Sequence, residues 1–295
     1  MNGLTLGGIY ALIALGYTMV YGILKFINFA HGDILMVGAY VGLFSYNALR
    51  GSAPLGAWTL VAFFLAMLIS MAACGVLGIV IERIAYRPLR HAARLAPLLS
   101  AIGVSFILSN SAAWAFGTQS RKFDYPFDNT PFNLHGVTIT PHQILILVVS
   151  VIMMVALSLF VGKTKMGKAM RATSLDQDTA MLMGINVDHV ISLTFAIGSA
   201  LAATGGILIA LDFKAYPTMG MMTGLKAFVA AVVGGIGNIQ GAMLGGILLG
   251  LLETFGVAVL GIPTGMKDTI AFGVLILILL VKPEGILGKA EKEKV

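Results

Sequence analysis

Uninterrupted apolar stretches recur along this 295-residue chain and constrain its fold more than any other feature. Many of them are about 20 residues long, which as a helix spans the roughly 30 Å hydrocarbon core of a bilayer. Hydrophobic residues make up 58% of the sequence and charged residues 11%, against about 45–50% and 25% in soluble domains. The sequence therefore predicts an all-α protein, a polytopic transmembrane helical bundle that forms a single domain over residues 1–295.

About eight spans are predicted. Seven are uninterrupted and cover residues 1–24, 34–49, 57–81, 95–116, 142–161, 191–211 and 266–281. The stretch 225–260 is too long for one straight span and contains the sequence GGIGNIQG, so we expect a broken or re-entrant helix there. A break at membrane depth requires protein or a water-filled cavity to cover its free backbone groups. Counted as a down-and-up pair, this element gives nine membrane segments.

The formal net charge of +6 arises from basic residues that are distributed like topology signals. About twice as many Lys and Arg residues lie on the side of the loop 83–94 as on the other side. Cytoplasmic loops of membrane proteins carry this excess. The N-terminus is therefore expected outside and the C-terminus in the cytoplasm. No basic face with aromatic or polar partners is present, so we expect contact with the lipid bilayer and none with nucleic acid.

Motifs for catalysis, nucleotide binding and metal binding are absent from the sequence. Gly162-Lys163-Thr164 resembles the end of a phosphate-binding loop, but the required earlier glycine is replaced by Leu157. His31 and Asp33 are neighbours without a third ligand at helical spacing, so no metal site is expected. No catalytic residue is assigned. The single cysteine, Cys74, is expected to pack inside a span.

The segment 162–190 is the longest polar stretch between two spans and is expected on the cytoplasmic side. Small and apolar residues alternate there with charged ones, which predicts a short amphipathic helix capped by Ser174 and ended by Gly184. Such a helix offers a docking surface without a catalytic side chain. An ordinary structured loop is the alternative.

Glycines around the predicted break occur four residues apart at Gly237, Gly241 and Gly245. Small residues at that interval let helices approach closely in lipid. They indicate either packing around a pathway or a purely structural face. Glu253 is expected to face the protein interior, a cavity or a partner, because a carboxylate in hydrocarbon is costly. The pathway candidates are Gly234, Gly235, Gly237, Asn238, Gly241 and Glu253.

A second polar group, KFINFAHGD at residues 25–33, stands beside a predicted span. It places Asn28, His31, Gly32 and Asp33 at an expected edge of the membrane. The sequence leaves open whether these residues, or Glu253, contact a transported molecule.

Three motifs in register resemble the permease subunit of bacterial branched-chain amino acid ABC importers. They are KFINFAHGDILMVGAY, RATSLDQDTAMLMGI and AVVGGIGNIQGAMLGGILLGLLE, and the resemblance extends over essentially the whole chain. It implies a non-catalytic subunit of the bacterial inner membrane, with a second permease, two cytoplasmic ATPase subunits and an external substrate-binding protein as partners. ATP and Mg would then be bound by the partner subunits, and no cofactor by this chain.

The same resemblance implies that residues 171–184 are the coupling helix that docks on an ATPase subunit. The positions that carry the match are Arg171, Ala172, Asp176, Ala180, Gly184 and Ile185. The family also includes urea and amide permeases, so a substrate of that kind stays open. A secondary transporter or channel for small polar solutes is the rival class, since broken helices and a buried acid suit those folds too. The absence of a duplicated half in the sequence argues against it.

Overall fold

The computed structural model describes residues 1–51, 55–90, 92–93, 95–134 and 137–288. Its helices are α1 (Asn2–Leu24), α2 (His31–Arg50), α3 (Ala57–Ile81), α4 (Leu95–Phe116), α5 (Pro141–Lys163), α6 (Lys165–Leu175), α7 (Gln177–Leu182), α8 (Val187–Asp212), α9 (Met219–Gly234), α10 (Ile239–Ala258) and α11 (Lys267–Val281). A π-helical turn (Glu82–Tyr86) and a 3-10 turn (Arg87–Leu89) continue α3. A small antiparallel hairpin pairs β1 (Phe132–Leu134) with β2 (Val137–Ile139). The predicted helical fold is confirmed.

The bundle is built around α1 and α8. Within the described residues, seven helical segments are long and apolar enough to cross a membrane. Helix α2 is not among these seven because its start is polar, and α9 is not because it has only 16 residues. Both helices nevertheless pack inside the bundle. The apolar window of α1 is 89% buried and that of α8 is 78% buried, whereas the window of α4 is only 17% buried. The protein is therefore a multi-pass membrane protein with a dry centre and an open periphery.

Two sets of helices, α1–α4 and α8–α11, pack in the same pattern. Helix α2 contacts α3 and α4 as α9 contacts α10 and α11, and α3 lies on α8 as α10 lies on α1. Helices α1 and α8 are antiparallel, because Gly16 adjoins Gly198 whereas Ile13 adjoins Gly205. The two sets are thus an inverted pair of the kind found in many membrane transporters. The sequence shows no duplicated half, and the similarity of the two sets is visible only in how their helices pack.

Two helices begin earlier than predicted. Helix α2 starts at His31 instead of residue 34, and the amides of Asp33 and Ile34 donate to the Ala30 carbonyl. Helix α9 starts at Met219 instead of residue 225. The sequence argument treated polar and Met-rich residues as lying outside the hydrocarbon. In the structure neighbouring helices bury His31, Asp33 and Met219, whereas Met221 and Met222 stay 66% and 44% exposed.

The predicted break between two helices is confirmed, with Gly235 and Gly237 at positive φ. Its depth in the membrane stays a prediction. Gly237 lies beside Gly22 near the end of α1, and Asn238 donates to the Leu287 carbonyl of the C-terminal tail. The break is therefore a tight turn at one end of the bundle. It joins α9 and α10 as an antiparallel hairpin, which matches the down-and-up pair.

The polar segment forms two helices, α6 and α7, where one was expected. Asp176, and not Ser174, caps α7: its carboxylate accepts from the amides of Asp178 and Thr179 at 2.9 and 3.0 Å. The hydroxyl of Ser174 instead donates to the Arg171 carbonyl. Gly184 has φ +81°, so the predicted left-handed exit is confirmed. Among the basic residues used for topology, Arg94 and the lysines of residues 289–295 lie outside the described residues.

Candidate functional site

The first turns of α2 and α9 meet in the interior of the bundle. A Cβ atom on Gly32 would overlap the Gly220 carbonyl, and a Cβ on Gly220 would overlap the Gly32 carbonyl. On the next turn of α9, a Cβ on Gly224 would come within 2.8 Å of the Gly32 Cα. Only glycines allow this approach of two backbones. Two helix N-termini therefore face each other where α1 and α8 also cross, an arrangement that surrounds substrate sites in many transporters.

Polar side chains cluster at the start of α2. Asn28, His31 and Asp33 are each only 1% exposed. The Tyr86 hydroxyl donates to Asn28 Oδ1 at 2.5 Å, and the Ser105 hydroxyl of α4 donates to Asp33. Their place at an edge of the membrane stays a prediction. They are buried between α1, α3 and α4, because α2 starts inside the bundle.

The His31 ring packs edge-on against the Tyr17 ring, with centroids 4.7 Å apart. A Cβ on Gly16 would overlap the ring, so this glycine makes room for it. Nε2 of His31 has no hydrogen-bond partner in the described residues. The ring is therefore held mainly by packing on α1.

Glu253 faces the protein interior as predicted and is fully buried. Its Oε1 lies 3.0 Å from Nζ of Lys226, and the Tyr10 hydroxyl donates to its Oε2 at 3.1 Å. Lys226 also lies 2.7 Å from Asp268 at the start of α11. Lys226 was counted from sequence as a topology signal outside the membrane. In the structure its side chain is 10% exposed, and its single positive charge lies between two carboxylates where α9, α10 and α11 meet.

The remaining pathway candidates, Gly234, Gly235, Gly237, Asn238 and Gly241, form the α9–α10 turn. Gly234 and Gly241 lie backbone to backbone, and a Cβ on either would overlap the other's carbonyl. The Asn238 carboxamide caps α10 by accepting from Gln240 and Gly241 at 3.0 and 3.3 Å. The geometry of these residues is that of a packed turn. Their role in a pathway stays a prediction.

The segment predicted to couple to a partner lies at the same end of the bundle as the C-terminus of α1. Arg171 donates to the carbonyls of Val161 and Gly162 and so ties α6 to the end of α5. Gln177 donates to the Ile23 carbonyl of α1 at 2.8 Å. Ala180 is buried, Ala172 and Ile185 are half-buried, and Asp176 and Gly184 are exposed. Helix α7 is thus fixed to the bundle on one face.

The opposite face of this segment is apolar and exposed. Leu175 and Leu182 are each 88% exposed and Met183 is 78% exposed. These residues lie outside the membrane spans, where an exposed apolar cluster indicates a protein contact. Sequence reasoning missed them as contact residues, because an amphipathic pattern does not say which face the bundle covers.

An ion-pair network joins this end of the bundle to α3 and α8. The fully buried Glu82 carboxylate accepts from Arg90 and, at 2.7 Å, from the Ser192 hydroxyl. Asp188, in the first turn of α8, pairs with both Arg87 and Arg90. Burial lowers the pKa of Arg90 below its ordinary value, and the adjacent Glu82 counteracts this. The network clamps the loop after α3 to the helix that follows α7.

A cavity of about 810 Å³ opens between α7, the network and the α1–α2 connection. Its lining includes Leu24, Phe26, Arg90, Met181 and Ile185. Helix α7 is therefore separated from part of the bundle by this cavity. The acids of the network escaped the sequence analysis, since Glu82 and Asp188 are far apart in the chain and only the fold pairs them.

The chain is similar to known proteins along nearly its whole length. Residues 1–279 match the family described as "Branched-chain amino acid transport system / permease component". The chain is 46% identical to the high-affinity branched-chain amino acid transport system permease protein LivH of Escherichia coli, over 100% of this chain and 96% of that protein. It is 45% identical to the corresponding BraD protein of Pseudomonas aeruginosa with the same coverage. A probable LivH protein of Methanocaldococcus jannaschii is 30% identical over 94% of this chain and 88% of that protein.

Proposed function

Because the chain belongs to the branched-chain amino acid transport permease family, we propose that it is a non-catalytic membrane subunit of an ATP-driven importer for branched-chain or related amino acids. In this proposal it forms part of the translocation pathway and responds to ATP hydrolysis on partner subunits. ATP and Mg bind those partners. The observation that carries the coupling role is the exposed apolar cluster of Leu175, Leu182 and Met183 on a segment fixed to the bundle.

The coupling segment α6–α7 docks on one of two cytoplasmic ATPase subunits through that apolar cluster. Movement of α7 reaches α1 through the Gln177–Ile23 hydrogen bond. It reaches α8 along the chain and α3 through the pairs of Asp188 with Arg87 and Arg90. Helices α3 and α8 in turn pack on α2, and α1 packs on α9. The network therefore transmits closure of the ATPases to the polar cluster in the interior.

A second permease subunit packs on the open side of the bundle that includes α4. This helix contacts the rest of the chain mainly through α2 and the π-helical turn Glu82–Tyr86. Its exposed surface carries Asn110 and Ser111 among apolar residues, and polar side chains favour a protein or aqueous neighbour over lipid. An external substrate-binding protein delivers the amino acid at the opposite end from α7. The N-terminus lies outside and the C-terminus in the cytoplasm of the bacterial inner membrane.

The test is reconstitution of the chain with candidate permease, ATPase and binding-protein partners in proteoliposomes. We expect uptake of radiolabelled leucine, isoleucine and valine that requires ATP and loaded binding protein. Uptake by the chain alone, driven by an ion gradient, would show a secondary carrier. ATP-dependent uptake of urea without amino acid uptake would show an amide permease.

The docking surface is tested by Leu182→Ala in the same complex. We expect at least tenfold less ATPase subunit retained on purification, because the change removes most of an exposed apolar anchor. The matched control is Leu159→Ala on α5, which is 47% exposed within a membrane span and should retain the ATPase subunit. Equal retention in both variants would place the docking surface elsewhere.

A further inference from the structure

Three carboxylates are buried in the described part of the chain, and they differ in whether a basic side chain pairs with them. Glu82 is paired with Arg90, and Glu253 with Lys226. Asp33 is 1% exposed and forms no ion pair with a Lys, Arg or His residue of the described chain. An acid inside a membrane protein is costly unless a partner compensates it, and such an acid marks a functional site by default.

The surroundings of Asp33 compensate it only in part. Its position in the first turn of α2 lets the helix dipole stabilise a negative charge. The Ser105 hydroxyl donates one hydrogen bond to Oδ2. No side-chain cap bond of the helix uses the carboxylate. A cation supplied from outside the chain would complete the site.

Asp33 is also placed where such a cation can arrive. It adjoins the contact between Gly32 and Gly220, where the first turns of the two short helices meet in the bundle. Ser105, which covers it, is half-buried and belongs to α4, the helix with the largely open surface. Exposure of the carboxylate requires a movement of the helices packed around it, and such a movement has to break the Ser105 hydrogen bond.

We propose that Asp33 binds the ammonium group of the transported amino acid during its passage through the membrane. The inference rests on the proposed importer function and names a residue that recognises its substrate class. Every α-amino acid carries this cation, whereas urea and simple amides do not. In the closed arrangement described here, the Ser105 hydroxyl takes the place of the ammonium donor.

A structural role for Asp33 predicts a different set of results. If the carboxylate only accepts from Ser105 to hold α4 on α2, the Asp33→Asn variant keeps an acceptor oxygen of the same size and should behave like the wild type. Ser105→Ala should then damage assembly, because it removes the donor. If Asp33 binds ammonium, the negative charge is required and the Ser105 hydroxyl is dispensable.

The experiment compares wild type, Asp33→Asn, Asp33→Glu and Ser105→Ala in the complete complex in proteoliposomes, with radiolabelled leucine, isoleucine and valine as probes. We expect Asp33→Asn to lower uptake at least tenfold with unchanged complex yield. Asp33→Glu should restore part of the uptake, and Ser105→Ala should stay within threefold of wild type.

Uptake by Asp33→Asn within twofold of wild type would overturn the inference. So would loss of complex assembly in Ser105→Ala while Asp33→Asn assembles like the wild type, since a structural tie predicts that pattern. In either case the wild-type complex still transports amino acids, and the proposed function stands. A wild-type complex that hydrolyses ATP but takes up none of the three amino acids refutes the proposed function itself.

Discussion

The buried pair of Lys226 and Glu253 gives a quantitative prediction for Lys226→Met. The change leaves the fully buried Glu253 carboxylate with only the Tyr10 hydroxyl as a donor. Removing one partner of a buried ion pair costs about 3–5 kcal/mol, because the other charge is left uncompensated. We therefore expect the free energy of unfolding to fall by roughly that amount.

The reciprocal change, Glu253→Leu, should cost less. Lys226 would keep its contact with Asp268, whose side chain is 41% exposed and which lies 2.7 Å away. Replacing both members by apolar residues is often close to neutral. The double variant Lys226→Met/Glu253→Leu should therefore be more stable than Lys226→Met alone, with a coupling energy of about 3 kcal/mol.

The assay is unfolding by added SDS in mixed micelles, followed by circular dichroism, for the wild type, both single variants and the double variant. Asp268→Asn serves as the control, because a half-exposed partner contributes only about 0–1 kcal/mol. A Lys226→Met variant within about 1 kcal/mol of wild type would refute the reasoning, as would a double variant whose loss equals the sum of the single losses.

Three further outcomes are expected. Leucine at Gly241 overlaps the Gly234 backbone and should lower the free energy of unfolding by about 1–3 kcal/mol in the same SDS assay. The control is Gly273→Leu, where a Cβ meets open space and no such loss is expected. Proline at Ala180 should break α7 and abolish the stimulation of ATPase activity by substrate, while the chain still inserts in the membrane. Stimulation that is retained in this variant would contradict a coupling role for α7. In a Cys74→Ser background, a membrane-impermeant thiol reagent should label Lys214→Cys in intact cells but Leu182→Cys only after permeabilisation, and the reverse pattern would invert the proposed topology.

Much of the architecture could be read from local sequence. The apolar runs predicted the spans, and GGIGNIQG predicted the α9–α10 break, because glycines at positive φ and an Asn cap act within a few residues. The starts of α2 and α9 could not be predicted in the same way. His31 and Asp33 are polar, and only helices distant in sequence, such as α1 and α4, reveal that these residues are buried.

In the candidate site, too, some features could be predicted from local sequence and others depend on the fold. Glu253 was identified as an interior acid from its surroundings in sequence, but its partners Lys226 and Tyr10 lie on other helices. The cap of α7 was assigned to Ser174, two residues from Asp176, because both residue types accept from orphan amides and the sequence does not fix where the helix begins.

The sequence by itself determined that this chain is a polytopic helical membrane protein with a polar segment at one end, because hydropathy and glycine placement act locally along the chain. The tertiary structure alone decided which charges are paired. It brought Glu82 to Arg90 and Glu253 to Lys226, and it left Asp33 beside Ser105 without a basic partner among the residues that the structure describes. Charge compensation depends on distances across the bundle, and those distances are set by how α1 and α8 pack and not by separation along the chain.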